Sequence, residues 1–180
     1  MSIRSAITAD LPSMLEIYRP FVENTAVSFE YQLPTLEEFT LRFTQHTAQF
    51  PWLVWEERDR VLGYAYAGAP WERTAYRWCA ESSVYLAPEA QGRGVGSALY
   101  AALEDILRRQ GYQILYALVT TDNAASVGFH QAAGFSRRAF FPNCGYKLGA
   151  WHGVIWFEKR LLPLEEPHSF PEPWHKREEP

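Results

Sequence analysis

Gln91-Gly92-Arg93-Gly94-Val95-Gly96 is the stretch that decides how this chain is read. It follows Val84-Tyr85-Leu86, an apolar run of strand type that Pro88 stops. It precedes Val95, Leu99, Leu103, Ile106 and Leu107, which recur at helical spacing up to Gly111. Glycines between a strand end and a helix start let the backbone turn tightly and bring its N–H groups close to a ligand. The helix start adds unpaired donors and a partial positive charge, together worth about 0.3–2 kcal/mol per anionic charge. The pattern predicts an anion site that suits a pyrophosphate, with Arg93 adding a charge-assisted contact. The loop lacks the Lys-Ser/Thr ending of a triphosphate-binding loop. Its glycines fall at 92, 94 and 96, not in the G-x-G-x-x-G spacing of a dinucleotide site, and no acidic partner follows about 20 residues on. The remaining alternative is an ordinary Gly-rich turn.

Working outward, residues 2–7 alternate weakly as a first strand, and Asp10 with Pro12 opens a helix carrying Leu11, Met14, Leu15, Tyr18, Phe21 and Val22. Thr35 and Glu38 form a capping box for a second helix with Leu36, Phe39 and Phe43 on one side. Strands are expected over 52–55, 61–69, 76–86 and 114–119, with a turn at Arg58-Asp59-Arg60. Asp122 or Asn123 caps a short helix up to Ala133, Gly134-Phe135 opens a strand, and 154–157 forms the last one. The sum is an α+β domain: a mixed sheet of about six or seven strands flanked by about four helices.

The bulk properties agree. The chain has 180 residues, 47% of them hydrophobic and 16% aromatic, enough for one domain with a sizeable core. Its net charge of -4 and the lack of a basic run argue against nucleic acid or an anionic membrane as partner, so any anionic ligand must be held by local groups. No apolar run reaches the ~18 residues of a membrane helix, and the N-terminus lacks the apolar stretch of a secretory signal. Cys79 and Cys144 are far apart and in no metal-like spacing, which reads as two free thiols in a reducing compartment and no metal site. We therefore expect a soluble cytoplasmic protein. Residues 163–180 hold five of the twelve prolines among charges, so a domain over 1–162 is expected to be followed by an extended or mobile tail.

At the loop, the chain resembles the GNAT acetyltransferase superfamily, whose acyl-CoA loop reads Q/R-x-x-G-x-G/A. The resemblance continues through Asn123-Ala-Ala-Ser126 and His130-Gln-Ala-Ala-Gly134-Phe135. It narrows to the phosphinothricin N-acetyltransferase-like branch through Asn24-Thr-Ala-Val-Ser-Phe29-Glu30, Pro70-Trp71, Arg73-Thr-Ala-Tyr76, Ala80-Glu81-Ser-Ser-Val84-Tyr85 and Gly145-Tyr-Lys147-Leu-Gly149-Ala-Trp151. The similarity covers about residues 2–160. Two positions depart from the branch pattern: Leu148 stands for a His and Gly153 for an Asp, which bears on the acceptor's identity.

The resemblance implies a GNAT fold, acetyl-CoA as co-substrate, and transfer of acetyl to the primary amine of a small amino-acid-like acceptor of the phosphinothricin, methionine sulfone or sulfoximine type. Dimers are common in the branch, so a homodimer is implied as well. The cofactor contacts implied are the backbone of Val84, Tyr85 and Leu86, the loop Gln91, Gly92, Arg93, Gly94, Val95, Gly96 and Ser97, and the side chains of Asn123 and Ser126. Glu81, in an otherwise apolar strand, is the implied general base, acting directly or through a water; a structural glutamate is the alternative. His130 stands where many members place a tyrosine that protonates the leaving thiolate. Phe29, Trp71, Tyr76 and Trp151 are implied pocket walls, Arg73 and Lys147 partners for an acceptor carboxylate, and Glu30 a partner for its ammonium. Competing acceptors are a protein N-terminus or a polyamine. A non-catalytic CoA-binding module is the reading from another class, and Glu81 speaks against it.

Overall fold

The structure is a computed structural model that describes residues 1–167 and 169–174. Strands β1 (Ser2–Ser5), β2 (Trp52–Glu57), β3 (Arg60–Gly68), β4 (Cys79–Leu86), β5 (Ile114–Thr120), β6 (Ser136–Lys147) and β7 (Ala150–Arg160) form one sheet in the order β1-β2-β3-β4-β5-β7-β6. Helices α1 (Leu11–Glu23) and α2 (Leu36–Thr47) cover one face around Trp52, and α3 (Val95–Gln110) with α4 (Ala124–Ala132) covers the other. Alternation within β2 shows how both faces are served: Trp52 and Val54 enter the α1/α2 core and Leu53 the α3 core.

Local chemistry sets the element ends. Thr35 Oγ1 accepts from the Glu38 N–H at 3.2 Å, and Glu38 Oε2 accepts from the Thr35 N–H at 2.7 Å, so the capping box forms as expected. Helix α3 ends on Gly111 at φ 95°. The β2–β3 and β6–β7 turns place two residues each at positive φ, Arg58-Asp59 and Leu148-Gly149, the sign pattern of a type I′ hairpin. The β6–β7 hairpin is longer than the sequence suggests. Most of β6 is exposed, so it shows no core-facing stripe for periodicity to register.

All neighbouring strands run antiparallel except β4 and β5, whose parallel pairing needs a crossover, supplied by α3. That pairing covers only Cys79↔Ile114, Ala80↔Leu115 and Glu81↔Tyr116. Beyond Glu81 the strands part: β4 stays with β3, and β5 stays with β7. The result is a wedge in the middle of the sheet, with Glu81 at its apex.

Over residues 169–174 the C-terminal segment carries no helix or strand, as an extended tail would, but it is docked on the domain; residues 168 and 175–180 lie outside the described set. Trp174 is 4% exposed and joins the α3-side core with Phe50, Leu107 and Tyr112. Its N–H donates to Gln49 O at 3.2 Å, and the Glu172 N–H donates to Gln110 O at 2.9 Å. Trp78 Nε1 donates to Ser169 O at 2.8 Å, and Phe170 stacks on Trp78 at 5.2 Å. A Pro-rich segment cannot build its own core, but it docks cheaply because little chain entropy is left to lose. Trp174→Ala is expected to cost about 3 kcal/mol and to lower Tm by on the order of 10 °C in a thermal melt. An unchanged Tm would show that the strap adds nothing.

Candidate active site

The wedge opens into a groove of about 330 Å³, lined by Val84 and Leu86 of β4, Gln91, Gly92 and Gly96 of the loop, and Asn123 and Ser126 of α4. Gly92 and Gly94 sit at φ 69° and 78°, and a Cβ built on either meets nothing within 4 Å. Backbone conformation, not crowding, therefore demands glycine there, and the space before the loop is open. Gly94 caps α3 without any side-chain cap, so the first-turn N–H groups have no side-chain partner. Asn123 Oδ1 accepts from the Ser126 N–H at 3.0 Å and caps α4 beside the groove.

The side chains of three loop residues turn elsewhere, which leaves their backbone N–H groups as the expected contacts. Val95 is buried in the core. Ser97 lies away from the groove, beside Glu104 and Lys159. Arg93 turns back, pairing with Glu57 at 2.8 Å and donating to Glu89 O at 3.1 Å, so it braces the loop from behind.

A second cavity, of about 380 Å³, holds Glu81. Period-2 alternation puts Glu81, Ser83 and Tyr85 on one face of β4, and the chain from Val27 to Glu30 forms the opposite wall. This cavity and the groove share Val27, Ser83, Tyr85, Leu118 and Thr120, so the two spaces meet in the wedge. Burial raises the Glu81 pKa above the usual carboxylate range.

The expected acceptor contacts divide. Phe29, Glu30 and Glu81 meet at the cavity. Glu30 is already paired with Arg42 at 2.8 Å, which weakens its pull on an ammonium. Trp71 stacks on Trp156 at 5.5 Å and packs against Tyr76 and against Tyr116, the strand partner of Glu81, but none of the three lines the cavity. Arg73 is exposed just before the short turn Thr74–Tyr76. Trp151 is exposed on the β6–β7 hairpin against Tyr146.

Lys147 is the clear correction. It is 3% exposed, and its Nζ donates to Val22 O at 2.6 Å and Ser28 O at 2.5 Å. Burial lowers its pKa, yet its ammonium ties the hairpin to the wall of the cavity and has no reach for an acceptor carboxylate. Lys147→Met leaves two buried carbonyls unpaired and is expected to cost about 1–3 kcal/mol. It should leave the ratio of kcat/KM for acid and amide forms of an acceptor unchanged. A changed ratio in a stable variant would restore the carboxylate role.

His130 is likewise enclosed, at 3% exposure. Its Nδ1 lies 2.8 Å from Ser126 O, which can only accept, so Nδ1 carries the proton. Its Nε2 then accepts from the Tyr100 hydroxyl at 2.9 Å, which lies 3.0 Å from Ser82 Oγ. Burial pushes the imidazole pKa down and favours this neutral form, which presents no free N–H to the groove.

Both departures from the branch pattern have a physical reading. Leu148 is 60% exposed at the hairpin turn, away from the cavity. A Cβ at Gly153 would lie 2.9 Å from Phe140 Cε2 and 3.2 Å from Phe141 O, so that space is already filled. Ser83 and Thr120 line both spaces, Tyr100 lines the groove and Arg42 holds Glu30, and no motif in the sequence singles them out. Alternation along β5 from Leu118 was the one signal for Thr120. The others depend on neighbours far away in the chain.

The description "Acetyltransferase (GNAT) domain" matches residues 3–156. The phosphinothricin N-acetyltransferase of Streptomyces viridochromogenes is 35% identical over 160 residues, covering 88% of this chain and 87% of the relative. The L-methionine sulfoximine/L-methionine sulfone acetyltransferase of Salmonella typhimurium is 34% identical over 173 residues, covering 96% and 99%. The crystal structure of a phosphinothricin acetyltransferase from Sinorhizobium meliloti in complex with AcCoA superposes with a TM-score of 0.85 at 37% identity, over 88% of this chain and 87% of that one.

Proposed function

The chain belongs to the GNAT acetyltransferases, and from that premise we propose that it moves acetyl from acetyl-CoA to the primary amine of a small amino-acid-like acceptor, with Glu81 as general base. One observation carries this reading: the groove and the Glu81 cavity share a wall in the wedge. A thioester in one space and an amine in the other meet beside a half-buried carboxylate.

The groove fits acetyl-CoA on its own chemistry. The Gly92–Gly94 loop and the uncapped start of α3 offer backbone N–H groups to a pyrophosphate. The β4 edge from Ser82 to Leu86 has lost its β5 partner, so an extended pantetheine amide can pair with it like another strand. Acetyl-CoA supplies the activated acyl group; the chain supplies position and proton handling.

An acceptor amine must be neutral to attack, and freeing its lone pair at pH 7 costs about 1–5 kcal/mol. Glu81, ionised and poorly solvated, takes that proton. A main-chain N–H of the open β4 edge faces the carbonyl oxygen as negative charge grows on it. When the C–S bond breaks, the CoA thiolate leaves along the groove and takes up the second proton, shed by the newly acylated nitrogen, while His130 holds the Tyr100 hydroxyl at the groove. Arg73 is the cation we assign to an acceptor carboxylate, and Phe29 the apolar wall for its side chain. The names of the relatives favour phosphinothricin, methionine sulfone and methionine sulfoximine as first acceptors to try.

Two free cysteines suit work in the cytoplasm. For a homodimer, the exposed edge strand β6 with Phe140 and Phe141 is the face we assign to the second copy; sedimentation velocity decides it. The main test is thiol release from acetyl-CoA over a panel of amino acids, their sulfone and phosphinate analogues, polyamines and peptides. Turnover with small α-amino acids supports the reading. Turnover with peptides or polyamines alone overturns it.

A further inference from the structure

We infer that the Thr120 hydroxyl is a second hydrogen-bonding partner of the acceptor amine, placed across the wedge from Glu81; the inference rests on the acetyl-transfer reading above. Thr120 is 6% exposed, and its Oγ1 has no hydrogen-bond partner among the described residues. Six side-chain atoms there are buried in that way, on Ser5, Trp52, Trp55, Gln110, Thr120 and Trp174. Thr120 alone among them lines the groove and the Glu81 cavity together.

An orphaned buried hydroxyl costs about 1–3 kcal/mol. Valine has the same branched shape, favours strands equally and escapes that cost. Packing therefore gives no reason for a hydroxyl at 120, whereas a ligand that hydrogen-bonds there does. Its direction follows from the strand. Ala117 and Val119 enter the α3-side core, so Leu118 and Thr120 face the other way, into the cavity with Glu81. Val154, paired with Thr120 across β7, lines the same cavity. On its other side the strand partner is lost, because β4 has already parted.

A primary ammonium offers three N–H bonds. Glu81 accepts one and takes that proton, which moves from nitrogen to carboxylate. Thr120 Oγ1 accepts a second and exchanges no proton. Held from both strands, the nitrogen cannot rotate freely, and the freed lone pair stays aimed along the wedge at the thioester carbon.

The test is Thr120→Val and Thr120→Ser in the full chain, assayed with the best acceptor from the panel. Thr120→Val should lower kcat/KM for the amine by roughly 10-fold or more, while its Kd for acetyl-CoA stays within about twofold. Its Tm should equal or exceed that of the wild type, since the orphaned hydroxyl is gone. Thr120→Ser should keep most of the activity. Wild-type kcat/KM in Thr120→Val overturns the inference. So does a loss that tracks weaker acetyl-CoA binding, which assigns the hydroxyl to the cofactor, or a loss that comes with a fall in Tm, which makes it structural. A wild-type protein that binds acetyl-CoA and acetylates no amine overturns the reading beneath it instead.

Discussion

Glu81→Gln lowers kcat at pH 7 by roughly 10²-fold or more and leaves the fold at least as stable as before. The substitution keeps the shape of the side chain and removes the base. Because burial raises the Glu81 pKa, the wild-type kcat/KM should climb with pH through a value above the ordinary carboxylate range and then level. In the Gln variant that limb disappears, and activity instead recovers as pH approaches the pKa of the amine itself. Stability carries a matching sign. A carboxyl whose pKa is higher folded than unfolded contributes fully below its unfolded value, and that contribution is lost as pH rises through the folded one. Above its folded pKa the ionised Glu81 is therefore a burden that Gln does not share, and the variant's Tm should hold or rise there. A purely structural Glu81 predicts a lower Tm and no change in the pH profile. A stable variant with wild-type kcat at pH 7 rules the assignment out.

Gly94→Glu should weaken acetyl-CoA binding by about 10²-fold or more, a loss of roughly 3 kcal/mol. Gly94 sits at φ 78°, where an L side chain costs about 1–2 kcal/mol, and a Cβ there meets nothing within 4 Å. A carboxylate there also sits at the start of α3 and repels a phosphate. Gly94→Asn is the control, since Asn tolerates this backbone region and carries no charge. Titration calorimetry should rank the wild type first, the Asn variant next and the Glu variant last. An unchanged Kd in folded Gly94→Glu would remove the loop from the site.

Much of this was legible in the sequence, and the parts divide by range. The loop from Gln91 to Gly96, the Thr35–Glu38 capping box and the Gly111 helix stop each depend on residues a few positions apart, so spacing alone reveals them. Glu81 was conspicuous because a carboxylate in an apolar strand is costly unless it is used. The sequence offers Arg93 and Glu30 as ligand contacts, yet each has a partner on another element, Glu57 and Arg42. The strap at 169–174 was missed because its prolines announce no regular element, while Trp174 finds a seat prepared by Phe50, Leu107 and Tyr112.

By itself, then, the sequence determined the order of elements, the glycine loop before α3 and the place of the Glu81 carboxylate in an apolar strand, because short-range geometry and the period of apolar residues depend on nothing outside each element. Only the tertiary structure decided what the polar side chains do. Lys147 becomes a strut because strand pairing brings it to Val22, 125 residues away in the chain, where its ammonium is worth more on two buried carbonyls than on a ligand. Thr120 comes to line the Glu81 cavity because β4 and β5 part after Glu81, and its buried hydroxyl finds no partner among the described residues. A side chain's type travels with the sequence, but its partners are chosen by which strands lie side by side.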